Sequence, residues 1–227
     1  MGTLSLEKAE NLFWLGRYSE RVFTTLEVFY DYYDQMLDGE PTSYLIFCSR
    51  LGIPNVYASQ ERFLQDYLYD KSNPDSVCSS MNRAFDNAIV LRDEIGSDTL
   101  GYIQMALDTM KRSKVYAERY LQHQQVLDYL YAFWGCVDDK VEDEDYRNLM
   151  KMGRCVERLD LYMRLGIDWK RMEKEYSKFI YRVGKVHRPY DQTKLDRLKE
   201  IFSKKEGWVE NQDEALRCLN GLFVALV

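Results

Sequence analysis

Proline and glycine, the residues that most often interrupt regular structure, are scarce in this chain. Its 227 residues include 4 prolines and 12 glycines, and no stretch rich in Gly, Ser or Pro divides them. Long segments without a turn signal favour helices over many short strands. We therefore expect an all-α fold, in which a single multi-helix bundle domain spans residues 1–227.

Several kinds of functional site lack their usual residues. The five cysteines form no Cys-x-x-Cys pair, and the two histidines, His123 and His187, lie far apart. No His-Glu-x-x-His, phosphate-binding loop or Gly-x-Ser-x-Gly pattern occurs. We therefore assign no catalytic residue, no metal ligand and no cofactor, and whether the protein is an enzyme stays open. An odd number of scattered cysteines suits free thiols in a reducing compartment.

Long apolar runs are also missing, and the charge is unevenly placed. No run approaches the ~20 apolar residues that a membrane-spanning helix needs. The first residues lack the pattern of a secretory signal, so the expected location is the cytoplasm, away from membranes. The net charge is −6, although residues 170–205 carry 12 Lys and Arg against 5 Asp and Glu. The acidic remainder would repel phosphates, which argues against a nucleic-acid partner.

One short phrase occurs twice. Asn-Leu-x3-Gly-Arg-x2-Glu-Arg begins at Asn11 and again at Asn148, so six of eleven positions match at an offset of 137 residues. On helices, the repeated charges would lie at the edge of an apolar face. The phrase suggests an internal pseudo-repeat, in which two helices present the same Arg, Glu and Arg geometry. Glycine inside a helix costs about 0.5–1 kcal/mol relative to alanine, so Gly16 and Gly153 indicate close approach by another backbone or by a ligand.

Two interpretations of the repeated charges compete. In the first, Glu20 pairs with Arg158 or a neighbouring arginine, and Glu157 pairs with Arg17 or its counterpart, which braces a helix crossing. In the second, arginines from both helices bind an anionic ligand, because the guanidinium group presents a rigid set of donors to carboxylate or phosphate. Acidic residues of the two helices could also gather around Mg²⁺, but the adjacent arginines would compete for the same oxygens.

Capping signals predict where the helices begin and end. Ser5 caps the first, Asn73 caps one that runs to about residue 95, and glycines end several others. The acidic run 138–145 is expected to be a loop and a helix start. The apolar end of the chain, residues 216–227, should dock onto the body or onto a partner. The predicted helices cover residues 6–37, 43–51, 59–69, 73–95, 97–120, 126–137 and 146–165, followed by two or three more.

Three blocks of sequence resemble the alpha-E family, a bacterial helical domain whose detailed activity is unknown. Residues 169–227 contain no phrase that matches, so we expect an alpha-E-like core over residues 5–168 with added C-terminal helices. Family members tend to carry a second arginine shortly after the middle-block asparagine, where this chain has Ile89. The matching segments are Glu10–Arg21, then Phe63-Leu64, Asn73–Val77, Asn87-Ala88 and Leu91–Asp93, and finally Met152–Arg158.

The resemblance implies an all-α fold in which Glu20 and Glu157 are the kind of glutamate that names the family. It also implies partnership with ATP-grasp ligases and transglutaminase-like peptidases, often encoded together, and hence cytoplasmic synthesis or processing of a peptide or amide-linked product. The family has no established catalytic residues to carry over. The ligand-binding residues that we expect are Arg17, Glu20, Arg21, Arg83, Asn87, Arg92, Arg154, Glu157 and Arg158.

Three functions follow from these patterns. The first is a non-catalytic or accessory subunit of a peptide or amide ligase system, which binds an anionic ligand or a partner through the paired Arg/Glu helices. The second is a catalytic or acceptor-binding subunit that uses the same Arg/Glu cluster. The third is a structural homo-oligomer in which a buried ion-pair brace only holds helices together. We favour the first.

Overall fold

The computed structural model describes residues 4–38, 42–112, 119–205 and 207–223. Across these ranges the chain forms twelve helices and no strand, which confirms the predicted all-α fold. None of these helices is long and apolar enough to cross a membrane. In chain order they are α1 (Leu6–Asp38), α2 (Ser43–Leu51), α3 (Gln60–Asp66), α4 (Val77–Val90), α5 (Arg92–Ile95), α6 (Ser97–Arg112), α7 (Arg119–Lys140), α8 (Glu144–Leu165), α9 (Trp169–Val183), α10 (Gln192–Ile201), α11 (Gly207–Glu210) and α12 (Gln212–Asn220).

The contacts of the chain gather into two compact units. The terminal unit joins the described residues of Met1–Arg17 to those of Asp143–Val227, and the middle unit is Tyr18–Glu142. The helix α1 therefore contributes its residues up to Arg17 to the terminal unit and the rest to the middle unit. The expectation of one domain over residues 1–227 stays a prediction.

In the terminal unit, α8 packs against α9 and α12, and α12 also packs against α10. The side chain of Asp143 caps α8 by accepting hydrogen bonds from the backbone N–H groups of the first turn. Gly166 ends the helix at a φ of +69°, a left-handed conformation that glycine adopts without steric cost. The predicted apolar face of α8 is confirmed. Its members, Leu149, Met152, Val156 and Met163, are all buried.

In the middle unit, α6 packs against α4 and α7. A cluster of aromatic rings fills the core beside α2 and α3. The Phe63 ring stacks on Tyr67 with centroids 4.9 Å apart, and its edge contact with Phe47 is 5.8 Å between centroids. Both phenylalanines are completely buried, so the unit has an apolar core of its own.

Most helix ends agree with the sequence-based expectations to within a few residues, and α2 has the predicted bounds. Ser5 accepts a hydrogen bond from the Lys8 N–H at the start of α1, as a cap should. Gly52 ends α2 at a φ of +70°. Leu222 and Phe223 are buried, which confirms the docking of the apolar end as far as the structure describes it. The remaining four residues, 224–227, lie outside the described part of the chain.

The predicted cap at Asn73 is wrong. Ser76 caps α4, because its side chain accepts a hydrogen bond from the Ser79 N–H. The Asn73 side chain instead accepts from the Asp75 N–H and forms a turn around Pro74, which delays the helix. The predicted helix to residue 95 also breaks at Leu91, which separates α4 from α5.

Other boundaries differ in the second half of the chain. The predicted helix 97–120 is α6 as far as Arg112, and residues 113–118 lie outside the described part. The acidic run 138–145 is less of a loop than expected, because its first residues continue α7 to Lys140. Four helices follow α8 rather than two or three, although α11 has only four residues.

Candidate functional site

The two glycines of the repeated phrase face each other's helices within the terminal unit. A methyl group added to Gly16 would overlap the Met150 carbonyl oxygen and lie 3.1 Å from the Arg154 backbone nitrogen. One added to Gly153 would overlap the Phe13 carbonyl oxygen and lie 3.1 Å from the Arg17 backbone nitrogen. The expectation that these glycines mark close backbone approach is confirmed.

The contacts of the two glycines are reciprocal. Residues 13, 16 and 17 become 150, 153 and 154 when the repeat offset of 137 is added. Each glycine therefore lies over the same backbone carbonyl and amide of the opposite helix, the two groups that an α-helix joins by an i→i+4 hydrogen bond. The repeated phrase is thus a local two-fold arrangement in space at this crossing.

Arg17 forms a buried ion pair at the crossing. Its Nε donates to Oε2 of Glu157 at 2.6 Å, and the two side chains are 5% and 0% exposed. The guanidinium carbon also lies 4.9 Å from the centroid of the Trp14 ring, a cation–π distance. The expected pairing of Glu157 with Arg17 is confirmed. The pair joins α1 to α8 directly beside the two glycines.

A third helix completes the network around Arg17. Nη2 of Arg17 donates to Oδ1 of Asn220 at 2.8 Å, and Nδ2 of Asn220 donates to Oδ1 of Asp160 at 2.6 Å. The other oxygen of Asp160 accepts from Nε of Arg164 at 2.6 Å. Asn220, at the end of α12, therefore links the arginine of α1 to the acidic edge of α8. Charge alternates along this chain of bonds, so each buried carboxylate has a cation within reach.

Sequence reasoning missed Asn220, and no local signal could have found it. The residue follows Arg17 by 203 positions and lies outside both copies of the repeated phrase. Its hydrogen bonds become visible only once α12 is placed against α8.

Glu175 is a second residue that the sequence analysis missed. It is 6% exposed and lies 3.6 Å, oxygen to nitrogen, from Nη1 of Arg158, while Nζ of Lys178 donates to it at 2.6 Å. A signal for it existed, because Glu175 shares the apolar face of α9 with Met172 and Phe179. An acidic residue on such a face needs a cation, and Arg158 of the repeated phrase is one.

The first copy of the Glu-Arg dipeptide belongs to the middle unit. Glu20 is completely buried and accepts a hydrogen bond from Oγ1 of Thr24 at 2.7 Å. The guanidinium carbons of Arg21 and Arg83 lie 5.8 and 5.7 Å from the centroid of the Tyr18 ring. Two of the expected ligand-binding arginines, one from α1 and one from α4, are therefore gathered at one ring.

The other expected residues are more scattered. Asn87 is half-buried one helical turn after Arg83 on α4. Arg92 is exposed on α5, where its Nε donates to Oγ of Ser97 at 3.3 Å. Arg154 is half-buried on α8 near Lys151 and Arg182. Burial and the positive charges of these two arginines lower the pKa of Lys151, which identifies this part of α8 as electropositive.

Nucleophile and metal chemistry have little support in the described geometry. Burial raises the pKa of the Cys155 thiol to about 11, so this thiol is protonated and unreactive at neutral pH. In the described ranges, His, Cys, Asp and Glu side chains form no group of three or more that could hold a metal ion. Arg17, Glu157 and Asn220 form a hydrogen-bonded polar cluster that joins α1, α8 and α12, and what it can do is hold these helices in place.

These observations define the class of protein: an all-helical fold in which a buried Arg/Glu ion pair joins two crossing helices. The chain matches the model of the Alpha-E family, described as a predicted alpha-helical domain with a conserved ER motif, over residues 7–193. It therefore belongs to this family, and the match extends beyond the predicted core of residues 5–168. No curated protein and no solved structure is similar enough to this chain to match it.

Burial distinguishes the Glu-Arg dipeptides of the matched region. The sequence contains four of them, which begin at residues 20, 61, 118 and 157. The glutamates at 20 and 157, which follow Gly-Arg-x-x, are completely buried. Glu61 is exposed on α3, and residue 118 lies outside the described part of the chain. Among the Glu-Arg dipeptides whose glutamate the structure describes, the two of the repeated phrase are therefore the ones that lie inside the fold.

Proposed function

We propose that this protein is a non-catalytic subunit of a cytoplasmic peptide or amide ligase system. In this proposal it works with an ATP-grasp ligase, a transglutaminase-like protein or both, and it recognises an acidic group of the partner or of an anionic ligand. The repeated Gly-Arg-x-x-Glu-Arg helices supply a fixed frame, and arginines beside that frame make the contact.

The single observation that carries the proposal is the state of Arg17. This side chain is 5% exposed, and its charge is matched by Glu157 at 2.6 Å. A guanidinium group that is neutralised and held by a buried carboxylate attracts a further anion weakly. At Arg17, the repeated phrase therefore supports a structural role more than the binding of a reactive intermediate. A structural role of this kind is what an assembly module requires.

The contact itself is proposed at Arg21 and Arg83. Both guanidinium groups lie within 6 Å of the Tyr18 ring centroid. Two cations beside one ring repel each other, and an acidic group from a partner would relieve that repulsion in addition to the contacts that each already makes. Glu20, Asn87, Arg92, Arg154 and Arg158 stay candidates for the same role at the edges of the frame.

The proposal is tested by co-expressing the chain with an ATP-grasp ligase from the same genome. We expect the two to purify together and amide-bond formation by the ligase to fall when the chain is left out. Arg83→Gln should weaken the association, because it removes one of the two cations. Arg62→Gln, a charge change of the same kind on the exposed surface of α3, is the matched control and should leave the association intact. Recovery of the chain alone, with unchanged ligase activity, would overturn the proposal.

A further inference from the structure

A groove of about 440 Å³ lies in the terminal unit, at the turn between α8 and α9. This volume falls in the range of small-ligand sites, roughly 300–1,000 Å³. The groove contains no residue of the repeated phrase, and the sequence analysis did not anticipate it. The lining residues that matter here are Ile167, Trp169, Lys205, Trp208, Val209 and Glu210.

One wall of the groove is a supported aromatic ring. The Trp169 ring stacks on Phe202 with centroids 6.3 Å apart and planes at 22°, and Phe202 stacks on Tyr176 at 4.3 Å and 6°. The three rings are therefore nearly parallel and lie one behind another. The Trp169 ring is the one that borders the groove. A wall held in this way loses little conformational freedom when a ligand packs against it.

The remaining apolar surface comes from α11 and from the turn after α8. Trp208 is 7% exposed, whereas its neighbour Val209 is 60% exposed. Ile167, in the turn after α8, is half-buried and also lines the groove. An exposed branched side chain next to two indole rings and a concave surface is the kind of apolar area that ligand sites display.

The groove also carries two charges that the described protein leaves uncompensated. Lys205 and Glu210 are exposed and line the groove, and neither side chain forms a hydrogen bond or an ion pair with any residue in the described ranges. The third charged residue of the lining, Asp168, is already engaged, because its side chain accepts from the Arg171 N–H at the start of α9. A ligand in the groove could therefore pair with the Lys205 ammonium group and donate a hydrogen bond to the Glu210 carboxylate.

We propose that this groove binds the carboxyl-terminal end of a peptide whose last residue is aromatic. The aromatic side chain packs against Trp169 and Trp208, the terminal carboxylate pairs with Nζ of Lys205, and a backbone N–H donates to the Glu210 carboxylate. The identity of the occupant rests on the proposed function, since a peptide is the substrate or product of such a ligase system. Apolar walls with one cation and one acceptor at the rim match this chemistry.

The probe is the tripeptide Gly-Gly-Phe, added to the isolated full-length chain and followed by calorimetry and by tryptophan fluorescence. We expect saturable binding with a change in emission. The amidated tripeptide lacks the carboxylate, Gly-Gly-Ala lacks the ring and free phenylalanine lacks the peptide. Each should bind at least about tenfold more weakly, the factor expected from the loss of one charge-assisted hydrogen bond or one buried ring.

Lys205→Gln is the decisive variant, because an exposed side chain can be changed without unfolding the protein. It should weaken Gly-Gly-Phe by about the same factor as amidation does, and the amidated peptide should lose nothing further. Lys204→Gln, an exposed neighbour outside the groove, is the matched control and should bind as the natural chain does. Absence of binding, equal binding of Gly-Gly-Ala or of free phenylalanine, or an unaffected Lys205→Gln variant would each overturn the proposal. These measurements use the chain alone, so their failure is distinct from failure of the ligase association.

Discussion

Arg17 carries a formal charge into a part of the protein where water hardly reaches. The guanidinium group is held on two sides, by Glu157 and by Asn220, and it lies beside the Trp14 ring. Burying an ion pair removes water from both charges, so the pair itself contributes less stability than its short distance suggests. What the pair does provide is orientation, because the guanidinium group cannot turn without losing two hydrogen bonds.

The Arg17→Gln variant should lower the free energy of unfolding by about 3–5 kcal/mol, because it takes an opposite charge away from the buried Glu157. Urea denaturation measures this directly. Replacing both partners, Arg17→Met with Glu157→Leu, should restore much of the loss, since no buried charge is then left from this pair.

Arg62→Gln serves as the control for that measurement. It removes an exposed ion pair with Asp66, whose side chains are 66% and 45% exposed, and should change stability by less than about 0.5 kcal/mol. If Arg17→Gln were as harmless as Arg62→Gln, Arg17 would not be a structural brace.

Two helices can approach as closely as α1 and α8 do only where both lack a side chain. Gly16 and Gly153 provide this at equivalent positions, and the backbones meet there. Glycine has a low helix propensity, so each of these two residues lowers the local stability of its helix. The close crossing requires glycine at both positions. Arg17 and Arg154 follow the two glycines directly in sequence, so the backbones of both arginines lie at the crossing.

Alanine at Gly16 or at Gly153 should destabilise the protein by about 3 kcal/mol or more, because the new methyl group would overlap a backbone carbonyl that cannot move aside. Gly101 in α6 and Gly135 in α7 are matched controls, since a methyl group there meets nothing within 4 Å. Alanine at either control should instead stabilise the protein by about 0.5–1 kcal/mol. Urea denaturation of the four variants measures these changes in the free energy of unfolding. Changes of the same sign in all four would contradict the close approach of α1 and α8.

Helix positions were largely predictable because their signals are local. Ser59 caps α3 and Gly166 ends α8, and each acts on backbone groups within one turn. The error at Asn73 is local too. Two residues that can cap a helix lie three positions apart, and because Asn73 forms the turn around Pro74, Ser76 caps α4. Sequence patterns of this length therefore determine where helices lie in the chain.

The candidate site was predictable only as far as the repeat extends. The pairing of Arg17 with Glu157 and the approach of the glycines follow from two copies of one phrase. The contacts of Asn220 and the groove beside Trp208 depend on how the C-terminal helices pack. No local sequence pattern near these residues predicts that packing. Distant partners of this kind are set by tertiary contacts, which single-sequence patterns do not contain.

The terminal unit is built from both ends of the chain. Phe223 packs on Phe13 with ring centroids 6.0 Å apart, and on Tyr190 at 6.1 Å. The Asp191 N–H donates to the Leu222 carbonyl at 2.9 Å, and Asn220 binds Arg17. The family match ends at residue 193, so these contacts come from chain beyond it. The C-terminal helices therefore form part of the structure that holds the family's motif.

A chain that ends at residue 193 should accordingly fail to fold stably, although it keeps the whole family-matched region. It would expose Phe13 and leave the buried residues Arg17 and Asp160 without Asn220, so apolar burial and two part-buried hydrogen bonds would be lost together. Circular dichroism and thermal unfolding of the shortened chain would show an early, broad transition or none. In the full chain, Asn220→Ala should lower the free energy of unfolding by about 1–3 kcal/mol, the amount for unpaired buried polar groups. Arg217→Gln, an exposed change on the same helix, should have almost no effect. A shortened chain that melts cooperatively near the temperature of the full chain would show instead that residues 7–193 hold the motif unaided.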